Sequence, residues 1–275
     1  MVTQRITWLV VPALLLAGCD VLSGRGGATP PETDAPTGEN DTPDPSLPVP
    51  VGGARQVSEQ TDTFLFDYSY PQEAGEIPAL SRWLDARLDD KRQRLAREAA
   101  RGSADARSNG FPFNSYSSET AWEVVADLPN WLSMSANLST YEGGAHPNYG
   151  FDTIVWDKQS DEAVEPIAFF TSAEALDEAL GDRLCEALNA ERERRRGIPV
   201  DPQSGDSFDT CVMPDETNLL LGSTNGAYFN RIGIQIAPYL AGPYAEGSYE
   251  FTFEVDDQIR AIVRPNYAGA FGAQE

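Results

Sequence analysis

The stretch Trp131–Tyr141, WLSMSANLSTY, alternates without a break. Leu132, Met134, Ala136 and Leu138 fall on one side, and Ser133, Ser135, Asn137 and Ser139 on the other. A helix cannot segregate a period of two, so the segment is predicted to be a strand with one buried face and one wet face. Such half-buried strands belong to antiparallel sheets whose second face meets water. The neighbouring segments agree. TDTFLFDYSYP places Phe64, Phe66, Tyr68 and Tyr70 on one side, and ETAWEVVAD and YGFDTIVWD read as further strands. Near the end, RIGIQIAPY and SYEFTFEV are two more, followed by a short helix in DDQIRAIVRP.

Two helices interrupt this pattern. Leu80, Leu84, Leu88, Leu95 and Ala99 recur at helical spacing, with Pro78 suited to a first helical position and Gly102 to a stop. Leu176, Leu180, Leu184 and Leu188 form a second stripe behind a capping box, Thr171-x-x-Glu174. Arg192, Arg194, Arg195 and Arg196 close that helix in agreement with its dipole and read as a solvated end interleaved with Glu191 and Glu193, an anion site being the alternative. Strands at hairpin spacing between isolated helices define the expected fold class: α+β, an antiparallel sheet with helices packed on it, preceded by a disordered tether.

The tether follows an export signal. Arg5 precedes an apolar run over residues 6–18, shorter than the roughly 20 residues that span a bilayer. The run ends in Leu16-Ala17-Gly18-Cys19, which resembles a bacterial lipobox, so residues 1–18 are expected to be removed and Cys19 acylated. Residues 19–60 are rich in Pro, Gly, Thr and acids and cannot bury enough surface to offset their conformational entropy. A flexible coil of about 40 residues spans roughly 35 Å. The expected location is therefore outside the cytoplasm, on a lipid anchor in the bacterial cell membrane, with the domain facing the periplasm or exterior.

Charge and cysteines narrow the partners. The chain carries 43 acidic and 20 basic residues, a net charge of -23, which repels nucleic acid and anionic lipid. With Cys19 taken by lipid, Cys185 and Cys211 remain as an even pair in an oxidising compartment, and a disulfide is expected between them. Two free thiols, or a nucleophile served by His146, are the competing readings.

His146 is the chain's single histidine and stands in TYEGGAHPNYG. Gly143 and Gly144 allow positive φ, and Pro147 restricts His146 to an extended conformation, so this is a hairpin loop or its edge. The histidine bonds backbone groups to fix the loop, contributes to a binding surface, or acts as a base with Glu142 or Asp152. A zinc site normally takes three or four protein ligands, and no G-x-S-x-G or H-E-x-x-H occurs. A carboxylate-only hydrolase stays open.

Tyr141-x-Gly143-Gly144-Ala145-His146, followed by Asn148 and a strand, resembles the hallmark of the DUF3298 domain family. Pro238-Tyr239, Tyr244 and Gly247 before the last strand are similar to its second hallmark. Residues 61–130, with Tyr70-Pro71-Gln72, resemble the companion module DUF4163, leaving 131–275 to the DUF3298-like domain. The family occurs in bacterial envelope proteins, among them the lysozyme-binding extracellular part of an anti-sigma factor and a module attached to a peptidoglycan deacetylase. The resemblance implies a lipid-anchored envelope binding module without cofactor, metal or catalytic residues. It would recognise a protein such as a basic lysozyme-like hydrolase through Tyr141, Gly143, Gly144, His146, Asn148, Tyr239 and Tyr244. The alternatives are a peptidoglycan or glycan-binding module, for which Trp83, Trp122, Trp131 and Trp156 offer stacking surfaces, or a carboxylate-dependent envelope hydrolase.

Overall fold

A computed structural model describes residues 52–201 and 203–272. The expected signal segment 1–18, the lipidation site Cys19 and the tether as far as residue 51 lie outside the described residues. No described helix is long and apolar enough to cross a membrane.

Six strands form the first sheet in chain order: β1 Arg55–Gln60, β2 Phe64–Tyr70, β3 Tyr116–Asp127, β4 Trp131–Tyr141, β5 Asn148–Asp157 and β6 Glu162–Val164. Between β2 and β3 come a single turn, α1 Gln72–Gly75, and the long helix α2 Pro78–Asn109. That helix carries the chain back along the sheet, so β2 and β3 pair parallel while every other neighbouring pair is antiparallel. Helix α3 Ala173–Arg196 then leads to a second sheet of three antiparallel strands, β7 Asn218–Gly222, β8 Arg231–Ile236 and β9 Tyr249–Glu254, and to α4 Asp257–Ala261. This is the expected α+β architecture. Strand pairing in the first sheet runs on through β3 and β4, across residues 130–131.

The alternation in β4 decides which face is covered. Leu132, Met134 and Ala136 are fully buried and pack with Leu80, Leu84 and Leu88 of α2 and with Phe66, Tyr68, Trp122 and Trp156. A second cluster joins Leu176, Leu180, Leu184 and Leu188 of α3 to Ile232, Ile234 and Ile236 of β8. Each fully buried leucine or isoleucine contributes roughly 2 kcal/mol.

Several boundaries differ from the sequence reading. Residues 55–60, read as the tether's end, form β1. Val57 is that strand's one large aliphatic residue, and the strand is held by pairing with β2 and by ion pairs from Arg55 to Asp85 and from Arg92 to Glu59. Helix α2 passes through Gly102 and ends at Gly110, which has φ 73°. Gly102 is needed for close approach instead: a Cβ there would lie 2.3 Å from the Tyr116 hydroxyl. Helix α3 is capped by Ser172, whose side chain accepts from the Ala175 N–H at 3.1 Å, one residue beyond the expected Thr171. Strand β7 had no period-two signal, since NLLLG is a short apolar run.

Cys185 of α3 and Cys211 form the expected disulfide, with Cα atoms 5.1 Å apart. It ties the loop that leads to β7 back to the helix. Replacing both cysteines by serine should lower unfolding free energy in urea by roughly 3 kcal/mol, the loop-closure entropy of a ring this size. The unreduced protein should show no alkylatable thiol at either position.

Candidate functional site

Thr140 pairs with Asn148 as the last rung of the β4–β5 hairpin, leaving residues 141–147 as the connecting loop. Gly143 and Gly144 have φ of 93° and 105°, values that L side chains rarely adopt. The Tyr141 hydroxyl donates to the Gly144 carbonyl at 3.0 Å and closes the loop on itself. His146 Nδ1 lies 2.9 Å from the Pro147 carbonyl. A carbonyl only accepts, so Nδ1 carries the proton and Nε2 is left as an acceptor. The Tyr239 hydroxyl donates to it, 3.3 Å from Nε2.

The two stretches singled out in the sequence, about a hundred residues apart, thus meet. The His146 ring stacks on Tyr244 with centroids 3.7 Å apart and planes 17° apart. Tyr149 and Tyr239 flank Tyr244 at 6.0 Å and 5.8 Å, with interplanar angles of 18° and 33°. Four rings therefore lie nearly parallel, and Tyr149 and Tyr239 are about half exposed. Burial and the Tyr149 hydroxyl raise the Tyr244 pKa above its ordinary value. Tyr239 holds φ 72°, a left-handed conformation costing a bulky residue roughly 1–2 kcal/mol. Asn148, exposed, opens β5 beside this cluster. Tyr149 was not foreseen, although it belongs to the wet face that the β4 alternation defines, directly across from Ser139.

Beneath the rings, the end of α3 is not a solvated tip. Arg192 is fully buried, donating from Nε to the Ala241 carbonyl and from Nη1 to Thr210 O and Asn189 Oδ1, each at 2.9 Å. Arg195 donates to the carbonyls of Glu246 and Ser248 and lies 3.9 Å over the Tyr249 ring. Arg196 pairs with Glu246 at 2.8 Å and with Asp209 at 2.7 Å. Of the four arginines only Arg194 is largely exposed, held to Glu191. Three arginines thus fasten residues 241–248, the loop carrying Tyr244. Burial alone would raise the Glu246 pKa, but hydrogen bonds from Arg196 and Tyr249 outweigh it and lower the pKa below 4.5. Burial, reinforced by Glu246, pushes Tyr249 up to about 12.

The carboxylates that would make His146 a base are elsewhere. Asp152 points to the α2 side of the sheet and pairs with Arg87 at 2.7 Å. Glu142 is exposed in the loop. Among the described residues no group of three or more His, Cys, Asp and Glu is placed to hold a metal ion. Trp122 and Trp156 are buried, with Trp83 edge-on to both, and Trp131 packs against Phe169 and Tyr267, so the tryptophans serve the cores.

Residues 57–149 match the family model described as deacetylase PdaC. The fold is that of a DUF3298 family member from Bacteroides fragilis, at 15% identity and a TM-score of 0.52, covering 80% of this chain and 96% of that one. A DUF3298 family protein from Pseudomonas aeruginosa matches at 13% identity and a TM-score of 0.43, over 80% of this chain and 97% of that one. None of the curated proteins matches the chain.

Gly144→Val forces a β-branched residue into positive φ and should cost about 2 kcal/mol in thermal or urea unfolding. His146→Gln, which keeps a donor and an acceptor, should cost less than 1 kcal/mol. Because Glu246 titrates below its ordinary 4.5 in the folded state, its contribution is complete above that value and disappears as pH falls through the folded pKa. Glu246→Gln should therefore lose about 2 kcal/mol at pH 7. The gap between the wild-type and Glu246→Gln melting temperatures should close as pH is lowered from 4.5 through the folded pKa.

Proposed function

We propose that this chain is a non-catalytic, lipid-anchored binding module of the bacterial envelope. Its contact site is the ring cluster of His146, Tyr149, Tyr239 and Tyr244. The observation that carries the reading is the exposure of near-parallel aromatic rings on the β4–β5 hairpin and on a second loop that is fastened from beneath by arginines. Tyrosines of this kind supply rigid contact area at low entropic cost and recur at interaction hot spots. Strain held at Tyr239 supports the same reading, since it places a ring in the cluster at a cost that folding alone does not require. We take the partner to be a protein, of the class of basic lysozyme-like hydrolases. The net charge of -23 favours encounter with such a surface, and the anchor would hold the module where such hydrolases act. A glycan is the second reading, because parallel tyrosine rings also match the flat face of a sugar.

The test is binding of the soluble domain, residues 52–275, to egg-white lysozyme and to muropeptides by calorimetry. Lysozyme should bind and muropeptides should not; the reverse outcome selects the glycan reading. Tyr244→Ala should weaken lysozyme binding about 30-fold, the effect of losing roughly 2 kcal/mol at a hot spot. Tyr239→Asn, which tolerates positive φ, should hold or raise the melting temperature while weakening binding. Unchanged affinity in both variants would place the contact elsewhere.

A further inference from the structure

Ring cluster and hairpin stand at the edge of a larger uncovered surface. Register partners across the first sheet put Ser58, Asp67, Glu119, Ser139 and Tyr149 in one row on one face, with Tyr149 joining that row to the rings. Strands are about 4.8 Å apart, so Glu119 lies about 10 Å from Tyr149 and about 5 Å from Asp67. Asp67, Glu119 and, two rows on, Glu123 are exposed. The face of α2 covers the opposite side of this sheet, where arginines neutralise the acids: Arg55 with Asp85, Arg87 with Asp152, Arg92 with Glu59. On the side away from α2 the hairpin end is open, and positions 58, 67, 119, 137, 139 and 149 there carry no lysine or arginine, whereas Ser135 and Thr153, farther along the same face, are buried.

Three further exposed apolar side chains belong to segments at the same end. Leu65 is 39% exposed and aligns through Ser117 with Tyr141. Phe111 is 70% exposed in the loop whose Asn114 donates to the Tyr141 hydroxyl. Leu240 is 48% exposed beside Tyr239. Scattered exposed apolar residues need no explanation, but a contiguous set bordered by polar side chains marks an interaction surface.

We infer that the open, hairpin end of the first sheet's face away from α2 continues the aromatic site and receives the basic side chains of a protein partner. Its apolar end supplies the dry contact, and the row through Glu119 and Asp67 supplies a cation-accepting rim. Like charges directly opposite each other on neighbouring strands are unfavourable in the free protein. A partner's lysines and arginines relieve that repulsion, so charge complementarity specifies a cationic protein surface as the occupant. This inference rests on the proposed binding function and extends it to the partner's chemistry.

The experiment measures association and dissociation of egg-white lysozyme with the soluble domain by surface plasmon resonance across a salt series. In the triple variant Asp67→Asn, Glu119→Gln, Glu123→Gln the association rate should fall about tenfold at low salt, and its salt dependence should flatten. The dissociation rate should stay within about twofold, and the melting temperature should hold or rise because repulsion is removed. An unchanged association rate and salt slope would overturn the inference and leave the ring-cluster reading intact. Loss of binding in the triple variant with full binding in Tyr239→Asn and Tyr244→Ala would instead uphold the sheet face and overturn the ring cluster. No binding of lysozyme by the wild-type domain would overturn both.

Discussion

The ion pair between Arg196 and Glu246 anchors the loop that carries Tyr244. The loop from Ala237 to Ser248 contains no strand or α-helix, and Pro238 and Pro243 fix only their own φ within it. Arg196 reaches it from the last turn of α3 and binds the Glu246 carboxylate, while Arg192 and Arg195 take up the carbonyls of Ala241, Glu246 and Ser248. Both partners of the pair are about 15% exposed, so solvent screens them little. The disulfide adds to the same frame, because Cys211 fixes the loop whose Asp209 holds the other side of Arg196. Tyr244 can then present its ring to His146 without an ordering cost on binding, which is what preorganisation means in energetic terms.

Much of the fold was legible because it rests on periodicity. The alternation from Leu132 to Leu138 named its own buried face, and the leucines of α2 and α3 named theirs. What the sequence hid depends on partners distant in the chain. Residues 55–60 look like the end of a polar linker, since their pairing lies in the backbone of β2 and their ion pairs lie on α2. Gly102 reads as a helix stop until Tyr116 is seen crossing it.

The site was legible in parts and hidden as a whole. Gly143 and Gly144 marked a loop of positive φ, and His146-Pro147 marked a fixed turn. No local signal joined Tyr239 to His146, a contact across 93 residues of chain. The arginines at the end of α3 had the look of a solvated helix end, because i to i+4 pairs with Glu191 explain Arg194 and Arg195 without any tertiary role. Burial of Arg192 and the grip of Arg196 on Glu246 follow only from the return of the chain before β9.

Recognition in this account uses a surface rather than a cleft: parallel rings at one end of a sheet, apolar side chains around them, and acids spread over the open face. Hydrogen–deuterium exchange of the soluble domain with and without saturating lysozyme tests that claim most directly. Protection is expected in peptides covering 141–149 and 237–248, with weaker protection over 65–69 and 117–123, and no change along the outer face of α2. Protection confined to α2 or to the second sheet would contradict it.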